Sequence, residues 1–153
     1  MIPREIERKY LLSALPPHAA SARSAELAQG YVPGTNIHER LRREAEAGEV
    51  RLVRTIKLGR GVERIEVEES VTPELFARLW SLTEGARVEK RRYFVPDGDR
   101  TWEIDEFTDR ALVLAELELD SADEAVLFPD WLAPYVIREV TDDPSYLNLK
   151  LAR

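Results

Sequence analysis

EIERK, residues 5–9, sets charged side chains at alternate positions, Glu5, Glu7 and Lys9, and runs directly into the apolar Tyr10, Leu11 and Leu12. In a β-strand, residues i, i+2 and i+4 share one face at steps of roughly 7 Å. Two carboxylates and an ammonium would therefore stand in a row on one side of the first strand, and such a row needs a reason.

The same pattern extends along the chain. Arg40/Arg42, Thr55/Lys57, Arg64/Glu66/Glu68, Lys90/Arg92, Glu103/Asp105 and Glu116/Glu118 occupy alternate positions, with apolar residues such as Ile6, Leu41, Ile56, Ile65, Val67, Trp102, Ile104, Ala115 and Leu117 between them. An antiparallel sheet with one wet face accounts for any one of these rows. It does not account for same-sign pairs on strand after strand, because like charges on one face repel. Their neutralisation must come partly from a ligand. The carboxylates are hard oxygen donors suited to Mg²⁺ or Mn²⁺. The bases are phosphate-binding groups, Arg bidentate and Lys as a point charge. A polyphosphate with its divalent cation satisfies both sets.

About eight strands are expected, near 3–12, 28–33, 37–46, 50–58, 62–71, 87–95, 100–107 and 111–120. Turns fall at Pro33-Gly34, Ala47-Gly48, Gly59-Arg60-Gly61 and Pro96-Asp97-Gly98. Thr72-Pro73 opens a helix carrying Leu75, Phe76, Leu79, Trp80 and Leu82 and ending at Gly85. Ser121–Glu124 reads as a capping box opening a second helix, Asp143-Pro144 as another start, and Pro16-Pro17 with the Ala/Ser-rich run after it as a loop with a short helix. The expected class is α+β: an eight-stranded antiparallel closed β-barrel with a charged interior and helices packed outside. Residues 1–153 form one domain on this reading.

The ordered series resembles the CYTH superfamily, the triphosphate tunnel metalloenzymes. The ExExK signature is Glu5-Ile6-Glu7-Arg8-Lys9, and the likeness continues through Gln29-Gly30-Tyr31, Arg40-Leu41-Arg42, Thr55-Ile56-Lys57, Arg64–Glu68, Lys90–Tyr93, Trp102–Asp105, Glu116-Leu117-Glu118 and Tyr146–Ala152. The resemblance implies a charged tunnel that binds a triphosphate with Mg²⁺ or Mn²⁺ and hydrolyses inorganic triphosphate, as is typical of the small bacterial members. A class IV-type adenylyl cyclase, a thiamine or nucleoside triphosphatase and a noncatalytic polyphosphate-binding module are the alternatives. On this resemblance Lys9, Arg40, Arg42, Lys57, Arg64, Lys90 and Arg92 clamp the phosphates. Glu5, Glu7, Asp105, Glu116 and Glu118 are expected as metal ligands, and Glu5, Glu7, Lys9 and Lys57 as the catalytic set. Glu66, Glu68 and Glu103 are expected either as additional acids of the tunnel, with the same oxygen donors, or to hold the Arg and Lys side chains in place.

His18 and His38 are expected on the surface, Trp80, Trp102 and Trp131 in apolar packing, Lys150 in a solvated tail, and Arg8 and Arg43 facing outward. With no cysteine the chain suits a reducing compartment, and the cytoplasm is expected. No signal peptide and no apolar run of about 20 residues is read, so no membrane is expected. A net charge of −7 argues against nucleic acid as a partner. A homodimer is admitted, with no interface identified.

Overall fold

The computed structural model describes residues 4–33, 38–58 and 63–152. Among these residues nine antiparallel strands form one sheet: β1 (Arg4–Leu12), β2 (Arg23–Val32), β3 (His38–Glu46), β4 (Glu49–Leu58), β5 (Glu63–Ser70), β6 (Arg87–Asp97), β7 (Arg100–Phe107), β8 (Val113–Glu118) and β9 (Val136–Glu139). Their order is β5-β4-β3-β2-β6-β7-β8-β1-β9. Tight turns join β3 to β4 and β6 to β7, where Ala47 (φ 51°), Gly48 (φ 81°) and Gly98 (φ 63°) take the left-handed backbone that these reversals require. The turns expected at Gly34 and at residues 59–61 lie outside the described residues.

Two fold expectations are corrected. The sheet curls until β1 meets β5, but among the described residues only Arg4–Ile6 pair there, against Glu63–Ile65. The register explains why: at Ile6, β5 has reached its first residue, and from Tyr10 onward that edge of β1 carries β9 instead. The result is a nine-stranded rolled sheet that is not closed along its length, in place of a closed eight-stranded barrel. The class is also mostly β rather than α+β. Among the described residues the longest helix, α2 (Pro73–Trp80), has eight residues, and α1 (Pro17–Ala20) and α3 (Asn148–Leu151) have four each.

α2 forms where its signals stand. Thr72 Oγ1 accepts the Leu75 N–H at 3.2 Å, Pro73 fills the first turn, and Phe76 is buried with its ring stacked on Trp80. The Ser121–Glu124 expectation is corrected. Glu124 Oε1 does accept the N–H groups of Asp120 and Ser121, but the chain turns there without forming a helix, and Val126, Trp131 and Leu132 pack on the core instead. β2 begins at Arg23, inside the Ala/Ser-rich run, because Ala25 and Leu27 are buried while the backbone pairs with β6. Asp143 caps Ser145 N–H, opening a short 3₁₀ turn before α3.

The main apolar core lies on the convex side. Tyr10, Leu12, Tyr93, Val95, Trp102, Ile104, Ala115 and Leu117 pack there under Ala19 of α1 and Leu132 of the β8–β9 connection. A second cluster joins Tyr31, Val88, Phe107 and Leu114 to Val140 and Ala152. By strand alternation Val88 shares a face with Lys90 and Arg92, Phe107 with Asp105, and Leu114 with Glu116. One end of the concave face is therefore plugged by apolar side chains and the C-terminal segment, and the charges occupy the remainder. Among the described residues no helix is long and apolar enough to cross a membrane.

Candidate active site

The concave face encloses a cavity of about 200 Å³ lined by Glu7, Lys9, Tyr31, His38, Arg40, Arg42, Lys57, Glu66, Glu68, Arg92, Glu103, Glu116, Leu147 and Asn148. Seven strands supply those charged groups, each from alternate positions facing inward. Tyr31, Leu147 and Asn148 fall within the motifs of the resemblance without an assigned role, and they line the cavity too. The structure corrects His38 from a surface position to the cavity wall, and its even parity with Arg40 and Arg42 was the signal. Trp102 is fully buried, Trp131 packs against the convex core, Arg43 is exposed, and Arg8 faces outward to Glu139 at 2.8 Å.

The basic half of the cavity is crowded. Arg40 is buried, donating from Nη2 to Thr55 Oγ1 at 3.1 Å and lying 3.7 Å from Glu66, while its buried Nε has no acceptor among the described residues. Arg42 donates from Nε to Gln29 Oε1 at 2.7 Å and from Nη1 to Glu44 at 3.3 Å. Burial, and then Arg40 and Arg92 beside it, push the Arg42 pKa down to about 10. Three guanidiniums drawn together out of water, one with an orphaned donor, form a site short of an anion. Lys57 joins them across the β3–β4 ladder, 4.0 Å from Glu66.

Behind them lies a fully buried clamp. Asp105 accepts from Arg92 Nε and Nη2 at 2.7 and 2.8 Å and pairs with Lys90 Nζ at 2.7 Å. Glu103 holds the other side of Arg92 at 2.8 Å. Burial would raise the Asp105 carboxyl, but Arg92 and Lys90 outweigh it and bring it down to about 2. Burial would likewise lower Arg92, but Asp105 and Glu103 hold it well above its usual value. Lys90 is left as the surplus cation, pushed down by burial to about 7 against the pull of Asp105, with its Nζ also 3.3 Å from Asn148 Oδ1. Neither Lys90 nor Asp105 lines the cavity, and Asp105 stands with Arg92 and Lys90 instead of with the other acids.

The acidic half is on β1, β7 and β8. Glu116 sits 3.4 Å from Lys9 and in side-chain contact with Glu7. Burial pushes Glu116 up, yet Lys9, Arg92 and Lys90 hold it well below the usual carboxylate range. Glu103 is raised by burial, with Glu116, Asp105 and Glu7 adding to the effect and Arg92 opposing it. Two touching, buried carboxylates need a proton or a cation between them, and the donors here are oxygen only. Among the described residues no group of three acids is placed to hold a metal. A hard cation would take Glu7 and Glu116 from the protein and its remaining ligands from phosphate and water, the arrangement that suits Mg²⁺. Glu118 is exposed and lines an adjoining hollow with Arg23, Phe94 and Arg100, and Glu103 borders both that hollow and the cavity. The side chains of Glu5 and Arg64 lie outside those described.

The whole chain has relatives of known activity. An inorganic triphosphatase of Nitrosomonas europaea is 38% identical, the match covering 97% of this chain and 96% of that protein. An inorganic triphosphatase of Acetivibrio thermocellus is 32% identical over 98% and 94%. A solved structure of an inorganic triphosphatase superposes with a TM-score of 0.67 at 33% identity, covering 99% of this chain and 95% of that one. A Pyrococcus horikoshii protein, 18% identical, shares the fold with a TM-score of 0.60 over 78% of this chain and 80% of its own. No family model matches the sequence. With near-complete coverage above 30% identity in two curated relatives, the chain belongs to the inorganic triphosphatase family.

Proposed function

We propose that this protein hydrolyses inorganic triphosphate in the Arg40–Arg42–Arg92 cavity, as a member of the CYTH superfamily, with Mg²⁺ or Mn²⁺ held by Glu7, Glu116 and the substrate. The observation that carries this reading is the buried Arg40 Nε, without an acceptor among the described residues, beside an Arg42 whose pKa is pushed down by burial and then by Arg40 and Arg92. A polyanion satisfies that donor and removes the repulsion together. Size favours a bare polyphosphate, since about 200 Å³ is below the roughly 300–1,000 Å³ of sites for larger organic ligands.

Phosphoryl transfer asks mainly for positioning and charge stabilisation. Arg40, Arg42 and Arg92 hold equatorial oxygens, and Lys9 and Lys57 add point charges at either side. Glu66 steadies Arg40 and Lys57, while Glu103 and Asp105 fix the Arg92 plane, so the donors are oriented before substrate arrives. The bound cation supplies neutralisation of developing charge and orientation of the attacking water. The cysteine-free chain suits the reducing cytoplasm, where we place it.

The test is phosphate release from triphosphate, ATP and thiamine triphosphate in turn, with Mg²⁺ or Mn²⁺ and after chelation. Triphosphate should be turned over, and chelation should stop it. Cyclic AMP formed from ATP would assign a cyclase, and tight triphosphate binding without turnover would assign a binding module.

A further inference from the structure

β3 delivers His38, Arg40 and Arg42 to one face at alternate positions, and exposure falls from half-buried His38 to buried Arg40 and Arg42. His38 therefore marks the mouth of the cavity. In the β3–β4 register it stands directly opposite Lys57. Among the described residues the charged groups at that level are Lys57 from β4 and Glu66 from β5, opposite each other in register; one step deeper stand Arg40, whose guanidinium is shared with Glu66, and Glu68. Tyr31 from β2 also lines the wall, its hydroxyl raised by burial and so neutral.

At the level of His38 the described residues thus hold one ammonium and one carboxylate. An imidazolium there adds a positive charge where a polyanion enters, and a neutral imidazole adds none. Histidine is the side chain whose ordinary pKa, about 6.5, places that change near neutral pH.

We propose that His38 is a positioning residue for triphosphate capture, holding the outermost phosphate in its protonated form and making substrate affinity pH-dependent. This rests on the cavity being the triphosphate site. His38 contacts the outer end of the chain and takes no part in bond breaking, so it acts on KM and leaves kcat unchanged.

The test is calorimetric binding of inorganic triphosphate to metal-free protein at about pH 5.5 and about pH 8, for wild type, His38→Gln and His38→Lys. The substrate's own titration is common to all three and cancels in their ratios. Wild type should bind about five- to tenfold more tightly than His38→Gln at the lower pH, the size of one partly exposed charge-assisted contact, and equally at the higher pH. His38→Lys should bind more tightly than His38→Gln at both. A wild-type to His38→Gln ratio that does not change with pH, or a His38→Lys no tighter than His38→Gln, overturns the role of His38. Binding with the expected profile but no phosphate release overturns the proposed reaction alone, and absence of triphosphate binding overturns both.

Discussion

Replacing Asp105 by Asn separates a structural clamp from a metal-binding role. Asp105 is fully buried, takes both ends of the Arg92 fork at 2.7 and 2.8 Å, and pairs with Lys90 at 2.7 Å. Asp105→Asn keeps the shape but leaves two buried cations facing one another, with Glu103, 2.8 Å from Arg92, and Glu116 as the carboxylates that still act on them. Removing one partner of a buried pair costs about 3–5 kcal/mol. Lys90, already brought down to about 7, can shed its proton, which limits the loss to the lower end of that range. At about 2–4 °C per kcal/mol for a chain of this size, the melting temperature should fall by roughly 6–12 °C. The assay is thermal unfolding by circular dichroism near neutral pH, with urea titration to check the free energy. The sign of the pH dependence adds a control. A carboxyl held near 2 stabilises the fold above its unfolded value of about 3.9, and that stability is lost as pH falls toward 2. The acid-limb loss should therefore be smaller in Asp105→Asn. A loss below about 1 kcal/mol with abolished metal activation would refute the clamp and place Asp105 among the metal ligands instead.

Lys90→Met should flatten the alkaline side of the stability profile. With Lys90 near 7 in the fold and about 10.4 unfolded, the unfolded chain binds the extra proton between those values, so wild-type stability rises with pH across that window and the variant's rises less in urea titrations. Gly30→Ala should destabilise by about 1–3 kcal/mol in the same assay, because a Cβ there would lie 2.6 Å from Thr83 Cβ and nearer still to its Oγ1, in a fully buried contact. Glu7→Gln should raise the Mg²⁺ concentration needed for half-maximal turnover about tenfold or more, while Arg42→Ala chiefly raises KM for triphosphate. Equal loss of metal dependence in both variants would contradict that division.

The inward rows were legible because a strand's period of two is exact: the parity of Glu7, Lys9, Arg40, Arg42, Lys57, Glu66, Glu68, Arg92, Glu103 and Glu116 brings all of them to one cavity. Parity gives the face of a residue and not its depth along the strand. That is why Asp105, one step from Glu103, is expected at a metal and is found bracing Arg92, and why Glu118, one step from Glu116, is exposed in the adjoining hollow beyond Glu103. Closure was misjudged for a related reason. Whether β1 and β5 meet over three pairs or ten depends on register, which charge alternation leaves free. β9 carries only Val136–Glu139, too short for a period to show, and pairs because it reaches the β1 edge beyond the seam. Asn148 enters the cavity from a C-terminal segment whose placement depends on the apolar plug, a long-range contact absent from any local pattern.

The location of the core resolves the physical difficulty in the fold. A sheet whose concave face carries this many ionised groups gains little from that face, since the desolvation of each ion offsets its pairing. Stability must come from the other side and the end: Trp102, Ile104, Leu117 and Leu132 on the convex face, and Val88, Phe107 and Leu114 under the C-terminal segment. This division lets the inner face keep a charge pattern that is unfavourable without a ligand. Arg42 at about 10 and the unsatisfied Arg40 Nε are the residue of that compromise, strain held by packing elsewhere and released when a polyanion enters. The same reasoning makes the clamp of Arg92, Asp105 and Lys90 necessary. Without a fixed carboxylate at its base, a basic cavity built from long side chains would relax toward solvent, and the preorganisation on which phosphoryl transfer depends would be lost.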